Sequence, residues 1–270
     1  MLEPAADATP AAWLQDEIRD FDHTVGSIVP AGFEAYARVF HPAWLSEPDG
    51  RDAPVRWSTV AAARGTTLHA VAEWGALAGR WRAPGEPGLW DREPEHGSLD
   101  AAGLAALSVV LEPHTTAPES CWFGVGEGYG DTIGTLVAFS AGTPAEERDR
   151  IAAELELEAM RADMRRTEAP VFTLPNRPMR LLRGPLEAMR EDEPLASFGL
   201  RRQSPNIWWP DDRSWCVGSE IDLMTTYVAG SAACIEAICS APGLEALPAS
   251  VDQRVTWDSD TVNPLPGMPG

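Results

Sequence analysis

The stretch WCVGSEIDL, residues 215–223, alternates in character and gives the clearest strand signal of the chain. One face of this strand would carry Trp215 and Val217, and the other would carry Glu220 and Asp222. Those two carboxylates would stand about 6.5–7 Å apart at the backbone, since residues two apart share a face. The alternation predicts a strand inside a sheet.

Other strand signals lie on both sides of this stretch. They cluster in pairs, with a short turn between the two strands of a pair. The clearest of them cover residues 33–41, 121–125, 132–139, 171–174 and 179–182. Helical patterns lie between the pairs, and no internal repeat is visible. Paired strands interspersed with helices are typical of an α+β fold, so we expect an antiparallel or mixed sheet flanked by helices.

Two of the helical patterns carry an apolar stripe that we expect to face the core. The first helix follows Ser98, and the second runs from Thr143 to about Arg166. The stripe of the first consists of Leu104, Leu107, Ser108 and Leu111. The stripe of the second consists of Ala153, Leu157, Met160 and Met164, at gaps of four, three and four residues.

The two ends of the chain differ in composition from the middle. The composition of residues 1–10 predicts a disordered tail. Residues 258–270 are rich in proline and glycine, which predicts a second disordered tail. No linker divides the chain between them, so residues 11–257 are expected to form a single α+β domain.

The charge balance excludes several classes of function. The 270 residues include 21 lysines plus arginines and 41 acidic residues, for a formal charge of −20, and the 21 are all arginine. Without lysine there is no Schiff base, P-loop clamp or lysine-activated serine. The negative charge argues against nucleic acid and anionic membrane surfaces as partners, and it suits a basic protein.

The cysteines and the start of the chain indicate a compartment. Cys121, Cys216, Cys234 and Cys239 form no C-x-x-C pair, so we expect reduced thiols and no metal site. The start lacks the basic and apolar regions of a secretory signal, and no window is apolar enough to span a membrane. These features predict a cytoplasmic protein without a metal or a cofactor.

A glycine-rich run, GVGEGYG at residues 124–130, lies between two predicted strands. Phosphate binding by such a run needs the N-terminus of a following helix, and the pattern here continues as a strand. We therefore interpret the run as a turn. Glu127 and Tyr129 at its tip remain candidates for ligand contact, because loops carry many binding residues.

The most distinctive segment spans residues 204–222, with three tryptophans within eight residues. Its candidate binding residues are Trp208, Trp209, Asp211, Arg213, Glu220 and Asp222. Two interpretations of the last two carboxylates stay open. In the first, they bind a cation or divide the roles of acid and base. In the second, they face solvent and Arg213.

Three polar residues elsewhere complete the candidate set, namely Arg38, His41 and His114. We expect residues 38–41, 127–129 and 208–222 to approach one another, because each stretch mixes polar side chains with aromatic residues or glycines. The expected ion pairs join Arg38 or Arg213 to Glu127, Glu220 or Asp222. The alternative is a packed core with a few buried ion pairs.

Part of this sequence follows a pattern met in other proteins. The stretches are GSIVPAGFEAYARVFHP at residues 26–42, CWFGVGEGYG at residues 121–130, and residues 204–230. They resemble those of an uncharacterised family of actinobacterial conserved hypothetical proteins, and the resemblance covers most of the chain. It implies a cytosolic actinobacterial protein, and it implies no activity, cofactor or catalytic residue.

Two functions remain as hypotheses. The first is a cytosolic, non-catalytic protein that binds a basic protein, as an immunity protein binds a toxin, or a small molecule. The alternative is a hydrolase, metal-dependent or not, that uses carboxylates of the Trp208–Asp222 segment, Glu220 and Asp222 with nearby Asp211 or His114. Convergence of these groups in one cleft would favour the enzyme, and scattering around an acidic or aromatic patch would favour the binding protein.

Overall fold

Eleven strands are present in the described part of the chain, and nine of them form one sheet. The computed structural model describes residues 1–79, 88–127 and 144–263. The strands are β1 (Glu3–Pro4), β2 (Ala35–Phe40), β3 (Ala43–Ser46), β4 (Asp52–Val55), β5 (Cys121–Gly126), β6 (Val171–Leu174), β7 (Arg177–Gly184), β8 (Ile207–Pro210), β9 (Cys216–Ser219), β10 (Thr225–Gly230) and β11 (Ala246–Ala249).

The main sheet has the order β1-β7-β5-β8-β9-β10-β2-β11, and β6 also pairs with β7. The pairs of this sheet are antiparallel, and β3 and β4 form a separate antiparallel hairpin. The sheet is open and mostly antiparallel, and helices accompany it. This combination is an α+β fold, so the predicted class is confirmed. The predicted strand at residues 132–139 lies outside the described residues.

Six α-helices accompany the strands in the described ranges. They are α1 (Ala12–Glu17), α2 (Trp57–Arg64), α3 (Trp74–Ala78), α4 (Ala101–Leu111), α5 (Ala145–Glu168) and α6 (Ala232–Ser240). The start of α6 is capped by Ser231, whose Oγ accepts a hydrogen bond from Cys234 N at 3.2 Å. None of the described helices combines the length and apolar character that a bilayer-spanning segment needs.

The sheet separates two hydrophobic clusters, because successive side chains of each strand point to opposite faces. On one face, Phe123, Trp208 and Val217 join the apolar residues of α4 and α6. On the other face, Ile207 and Trp209 pack with α1. A third cluster of apolar side chains gathers α2 and α3 beside the end of β2.

The strand predicted at residues 215–223 is present but shorter than expected. It is β9, Cys216–Ser219, and it pairs with β8 and β10 inside the sheet. Glu220 begins the turn to β10, where Leu223 N donates to Glu220 O at 2.9 Å. The chain must reverse here to pair β9 with β10, so Glu220 and Asp222 do not share a strand face.

Both predicted tails are ordered where they are described. Leu2 is buried, and the short strand β1 pairs with β7. At the other end, Asp260 is buried and accepts hydrogen bonds from Glu73 N and Asn263 N. The prediction of disorder is therefore wrong for residues 1–10 and 258–263, because burial and hydrogen bonding outweigh the local composition. Residues 264–270 lie outside the described ranges.

The two predicted apolar stripes have different outcomes. In α4, Leu104, Leu107, Ser108 and Leu111 are buried as expected. In α5, Leu157, Met160 and Met164 are exposed by 42%, 56% and 56%, so the prediction that this stripe faces the core is wrong. Instead α5 packs through its opposite side, where Ala162 is buried, against β1 and the short 3₁₀ helix Ala196–Phe198.

Candidate functional site

The described parts of the three predicted stretches lie on strands of one sheet, but the sheet divides their side chains. Residues 38–40 belong to β2, Glu127 directly follows β5, and the third stretch contains β8 and β9, with β10 between β9 and β2. Tyr227 of β10 stands opposite Arg38 of β2 in the register, and Thr226 stands one residue along. Arg38 lies over the Tyr227 ring, whereas His41 contacts Thr226. Since neighbouring residues of a strand point to opposite faces, Arg38 and His41 lie on different sides of the sheet.

Arg38 is almost fully buried and pairs with a residue that sequence reasoning did not select. Its Nη2 donates to Glu73 Oε1 at 3.0 Å, and its Nη1 donates to Ala70 O at 3.0 Å. The guanidinium also lies 5.1 Å from the centre of the Phe40 ring. Burial raises the pKa of Glu73, and the facing Arg38 opposes that rise. The predicted pairing of Arg38 with Glu127, Glu220 or Asp222 is wrong.

His41 is the centre of a buried hydrogen-bond chain. Its Nδ1 lies 2.7 Å from Glu95 O and its Nε2 lies 2.8 Å from Thr226 Oγ1, which is 2.7 Å from Ser219 Oγ. Because a carbonyl oxygen only accepts, Nδ1 donates to it and neutral Nε2 accepts from Thr226, which in turn accepts from Ser219. Burial lowers the pKa of His41 to about 4, so the ring stays neutral at pH 7.

Three of the four predicted carboxylates have a partner, and the three partners differ. Glu127 pairs with Arg180, and Glu220 pairs with Arg177, each at 2.6 Å between nitrogen and oxygen. Asp211 Oδ1 accepts from the indole nitrogen of Trp122 at 3.0 Å. Asp222 is exposed in the β9–β10 turn. These four carboxylates therefore do not converge in a common cleft.

The predicted aromatic walls belong to the core. Trp208 and Trp209 are each 1% exposed, and they lie on opposite faces of the sheet. Trp208 contacts the ring of Trp215 at 5.3 Å between centroids, and Trp209 contacts Trp13 at 6.1 Å. These side chains fill the core and do not line a pocket.

The remaining candidates lie apart from these groups. Arg213 has a left-handed backbone, with φ of 54°, and its guanidinium lies 5.1 Å from the centre of the Trp13 ring. His114 ends the 3₁₀ helix Glu112–His114. Its neighbours Thr115 and Thr116 donate hydrogen bonds to the Asp212 carboxylate. Tyr129 lies outside the described residues, so its predicted contact with a ligand stays a prediction.

One cavity, of about 190 Å³, lies between the starts of α2 and α4. Its acidic groups are Asp100 and Glu245. Glu245 already accepts hydrogen bonds from Trp57 N at 2.6 Å and Ser58 N at 2.9 Å. Burial raises the pKa of Asp100, although N–H groups of the first turn of α4 oppose the rise. Both carboxylates thus serve the helix starts that surround the cavity.

The most exposed aromatic side chain in the described ranges belongs to Trp257, which sequence reasoning did not select. Its exposure is 77%, and Val262 on the same loop is 60% exposed. We call residues 256–262 the Trp257 loop. In the sequence, the only indication of this residue is a tryptophan between the polar residues Thr256 and Asp258. The fold is needed to show that its ring faces outward.

The Trp257 loop is held at both ends. Before it, Val255 N donates to His23 O at 2.9 Å, and Gln253 O accepts from Val25 N at 3.0 Å. Toward its end, the buried Asp260 carboxylate lies 2.9 Å from the Nε2 of His69 and accepts from Asn263 N. These contacts fix the backbone on either side of the exposed ring.

One aspartate of this loop and one beside it stay ionised. Hydrogen bonding from the Thr256 side chain holds the pKa of Asp258 below its ordinary value. The Thr24 side chain does the same for Asp22, on the segment that pairs with residues 253–255. Each aspartate also has an arginine beside it, since Asp258 Oδ1 lies 3.2 Å from Arg254 Nη2 and Asp22 Oδ2 lies 4.0 Å from Arg19 Nη1. The exposed Trp257 ring is therefore bordered by carboxylates that already take part in exposed ion pairs.

Comparison of the chain with models of protein families, with curated proteins and with solved structures finds no match. The resemblance to the actinobacterial family therefore stays a prediction. In the described ranges, no group of three or more His, Cys, Asp or Glu side chains could hold a metal ion.

Proposed function

We propose that this chain is a non-catalytic interaction protein and that the Trp257 loop binds a basic segment of a partner protein. The observation that carries the proposal is the exposure of Trp257, 77%, on a loop fixed at both ends. A large aromatic side chain on a fixed backbone has little conformational entropy to lose on binding. Tryptophan is also enriched among the residues that dominate binding energy.

The net charge of the chain supports a basic partner. An arginine or lysine of the partner can stack on the indole ring and share Asp258 with Arg254 or Asp22 with Arg19, because both of these ion pairs are exposed. The formal charge of −20 would accelerate the encounter with such a partner. A basic toxin bound by an immunity-like protein is one partner of this kind. A cytoplasmic location, which we also propose, agrees with four free cysteines.

The proposal is tested by calorimetry with a capped arginine–glycine octapeptide. We expect Trp257→Ala to weaken binding by about tenfold, the effect of losing one desolvated cation–π contact. The melting temperature should not change, because the ring has few contacts of its own. Asp192→Asn, which removes an exposed charge elsewhere, should leave affinity almost unchanged. Equal binding by wild type and Trp257→Ala would refute the proposal.

The hydrolase alternative has its own test. Glu220 and Asp211 each contact a different neighbour, which supports a non-catalytic protein. We expect no turnover of p-nitrophenyl acetate or p-nitrophenyl phosphate above the rate of a heat-denatured control. Turnover that Glu220→Gln abolishes without lowering the melting temperature would establish the enzyme instead.

A further inference from the structure

Helix α5 has two apolar sides, and one of them is covered by the rest of the chain. Ala162 is buried on the covered side, and Ile151 and Leu155 on that side are partly buried. At 100° per residue the other side lies half a turn away. There Leu157, Met160 and Met164 are 42%, 56% and 56% exposed. We call Ala153 with these three residues the α5 stripe.

The spacing of the α5 stripe fits a second copy of the same helix. Gaps of four, three and four residues match the apolar repeat of a helix pair. This order reads the same in both directions. An antiparallel copy would therefore place Leu157 opposite Met160 and the small Ala153 opposite the large Met164.

The charges along α5 favour the same antiparallel arrangement. Glu154 and Glu156 flank the stripe in the half toward the helix start, where Glu154 also lies 3.2 Å from Arg150, and Arg161, Asp163 and Arg165 flank it toward the helix end. Glu158 lies toward the covered side, where it pairs with Arg201. In an antiparallel pair, Glu154 faces Arg161 and Arg165 of the second copy, because these residues flank the stripe on the same side. A parallel pair would instead bring Glu154 of one copy near Glu156 of the second.

We propose that the chain self-associates through the α5 stripe as an antiparallel, two-fold symmetric dimer. The other flank limits its affinity, since Glu156 of one copy would lie near Asp163 of the second. Four apolar side chains per copy also cover less area than the roughly 800 Å² per partner of a stable complex. We therefore expect a dissociation constant on the order of 10 μM.

The oligomeric state is tested by sedimentation velocity of the full chain between about 1 and 200 μM, which brackets the expected constant. The mass should rise from 29.2 kDa toward twice that value. Leu157→Glu combined with Met160→Glu should stay monomeric at every concentration. Val109→Glu is the matched control, because Val109 is 54% exposed on a different helix, and it should dimerise as wild type does.

Two measurements test the antiparallel orientation. Glu154→Arg alone, and Arg161→Glu combined with Arg165→Glu, should each weaken the dimer several-fold. The triple variant should restore it, because the exchanged charges meet again across the axis. Spin labels at position 147, in a Cys239→Ser background, should lie about 35 Å apart, given a rise of 1.5 Å per residue. A parallel pair would bring them within roughly 15 Å.

Three results would overturn this inference. They are a chain that stays monomeric at the highest concentration, a dimer that survives Leu157→Glu with Met160→Glu, and a short distance between the labels. The inference is independent of the proposed binding surface. Trp257→Ala should dimerise normally, and the Leu157→Glu, Met160→Glu variant should still bind the arginine–glycine peptide.

Discussion

Helices α4 and α5 carry apolar stripes that look alike in sequence, and the fold treats them in opposite ways. The α4 stripe lies in the main core, where Leu107 and Leu111 are fully buried. The α5 stripe faces outward, with Met160 and Met164 each 56% exposed. Spacing identifies the apolar side of a helix, and only the surrounding elements decide whether that side is covered.

The residues around each stripe indicate why one stripe is covered and the other is exposed. The eleven residues of α4 include no charged side chain, so no side of this helix favours water. In α5, charged residues separate two apolar sides. A helix with two such sides can bury one of them against its own fold and leave the other for contact outside it.

The largest effect expected within this contrast concerns a buried charge. Arg38→Met leaves the mostly buried Glu73 carboxylate, which is 19% exposed, without its cation, which should cost about 4 kcal/mol of unfolding free energy. Arg148→Met on the exposed part of α5 should cost less than about 0.5 kcal/mol. Urea denaturation of both variants measures the difference. Similar losses would mean that Arg38 is more hydrated than its 2% exposure indicates.

The second test compares the stripes directly. Leu107→Ala should lower the unfolding free energy by about 3 kcal/mol, because it leaves a cavity in the packed core. Leu157→Ala should lower it by less than about 0.5 kcal/mol at concentrations where the chain is monomeric. Denaturant titrations at 1 μM or below, well under the expected dissociation constant, check both values. A large loss at Leu157 would show that the α5 stripe is covered within one chain.

A smaller effect depends on pH. The pKa of His41 is about 4 in the fold and 6.5 in the unfolded chain, so between these values only the unfolded chain binds the proton. Stability should therefore fall as the pH is lowered from 7 to 5, by about 2 kcal/mol from this residue. His41→Asn should lose that part of the pH dependence, and the exposed His23→Asn should keep it. Parallel slopes for all three proteins would contradict the burial of a neutral His41.

Local patterns were sufficient to predict much of the fold. Alternation located β2 and β9, and the pairing of strand signals indicated an antiparallel sheet. The pattern did not reveal where β9 ends, because Glu220 and Asp222 continue the alternation into a turn. The order of the strands in the sheet could not be predicted either, since it depends on contacts between residues far apart in sequence.

The site was harder to predict than the fold. Arg38 and His41 were selected as polar residues in a stretch that also carries aromatic side chains, and both are buried polar groups. Their partners Glu73 and Thr226 come from other segments, so no local pattern could name them. Trp257 was missed for the opposite reason, because the exposure of a single aromatic residue depends on how its loop is anchored.

The place of β2 in the sheet affects how this protein is made. Both neighbours of β2 lie far along the chain, since β10 begins at Thr225 and β11 ends at Ala249. At synthesis rates of about 5–20 residues per second, a ribosome needs roughly 10–40 seconds after β2 emerges to supply those strands. During that interval both edges of an apolar strand are open to pairing with other nascent chains. Production of this protein should therefore depend on chaperone capacity more strongly than its final stability suggests.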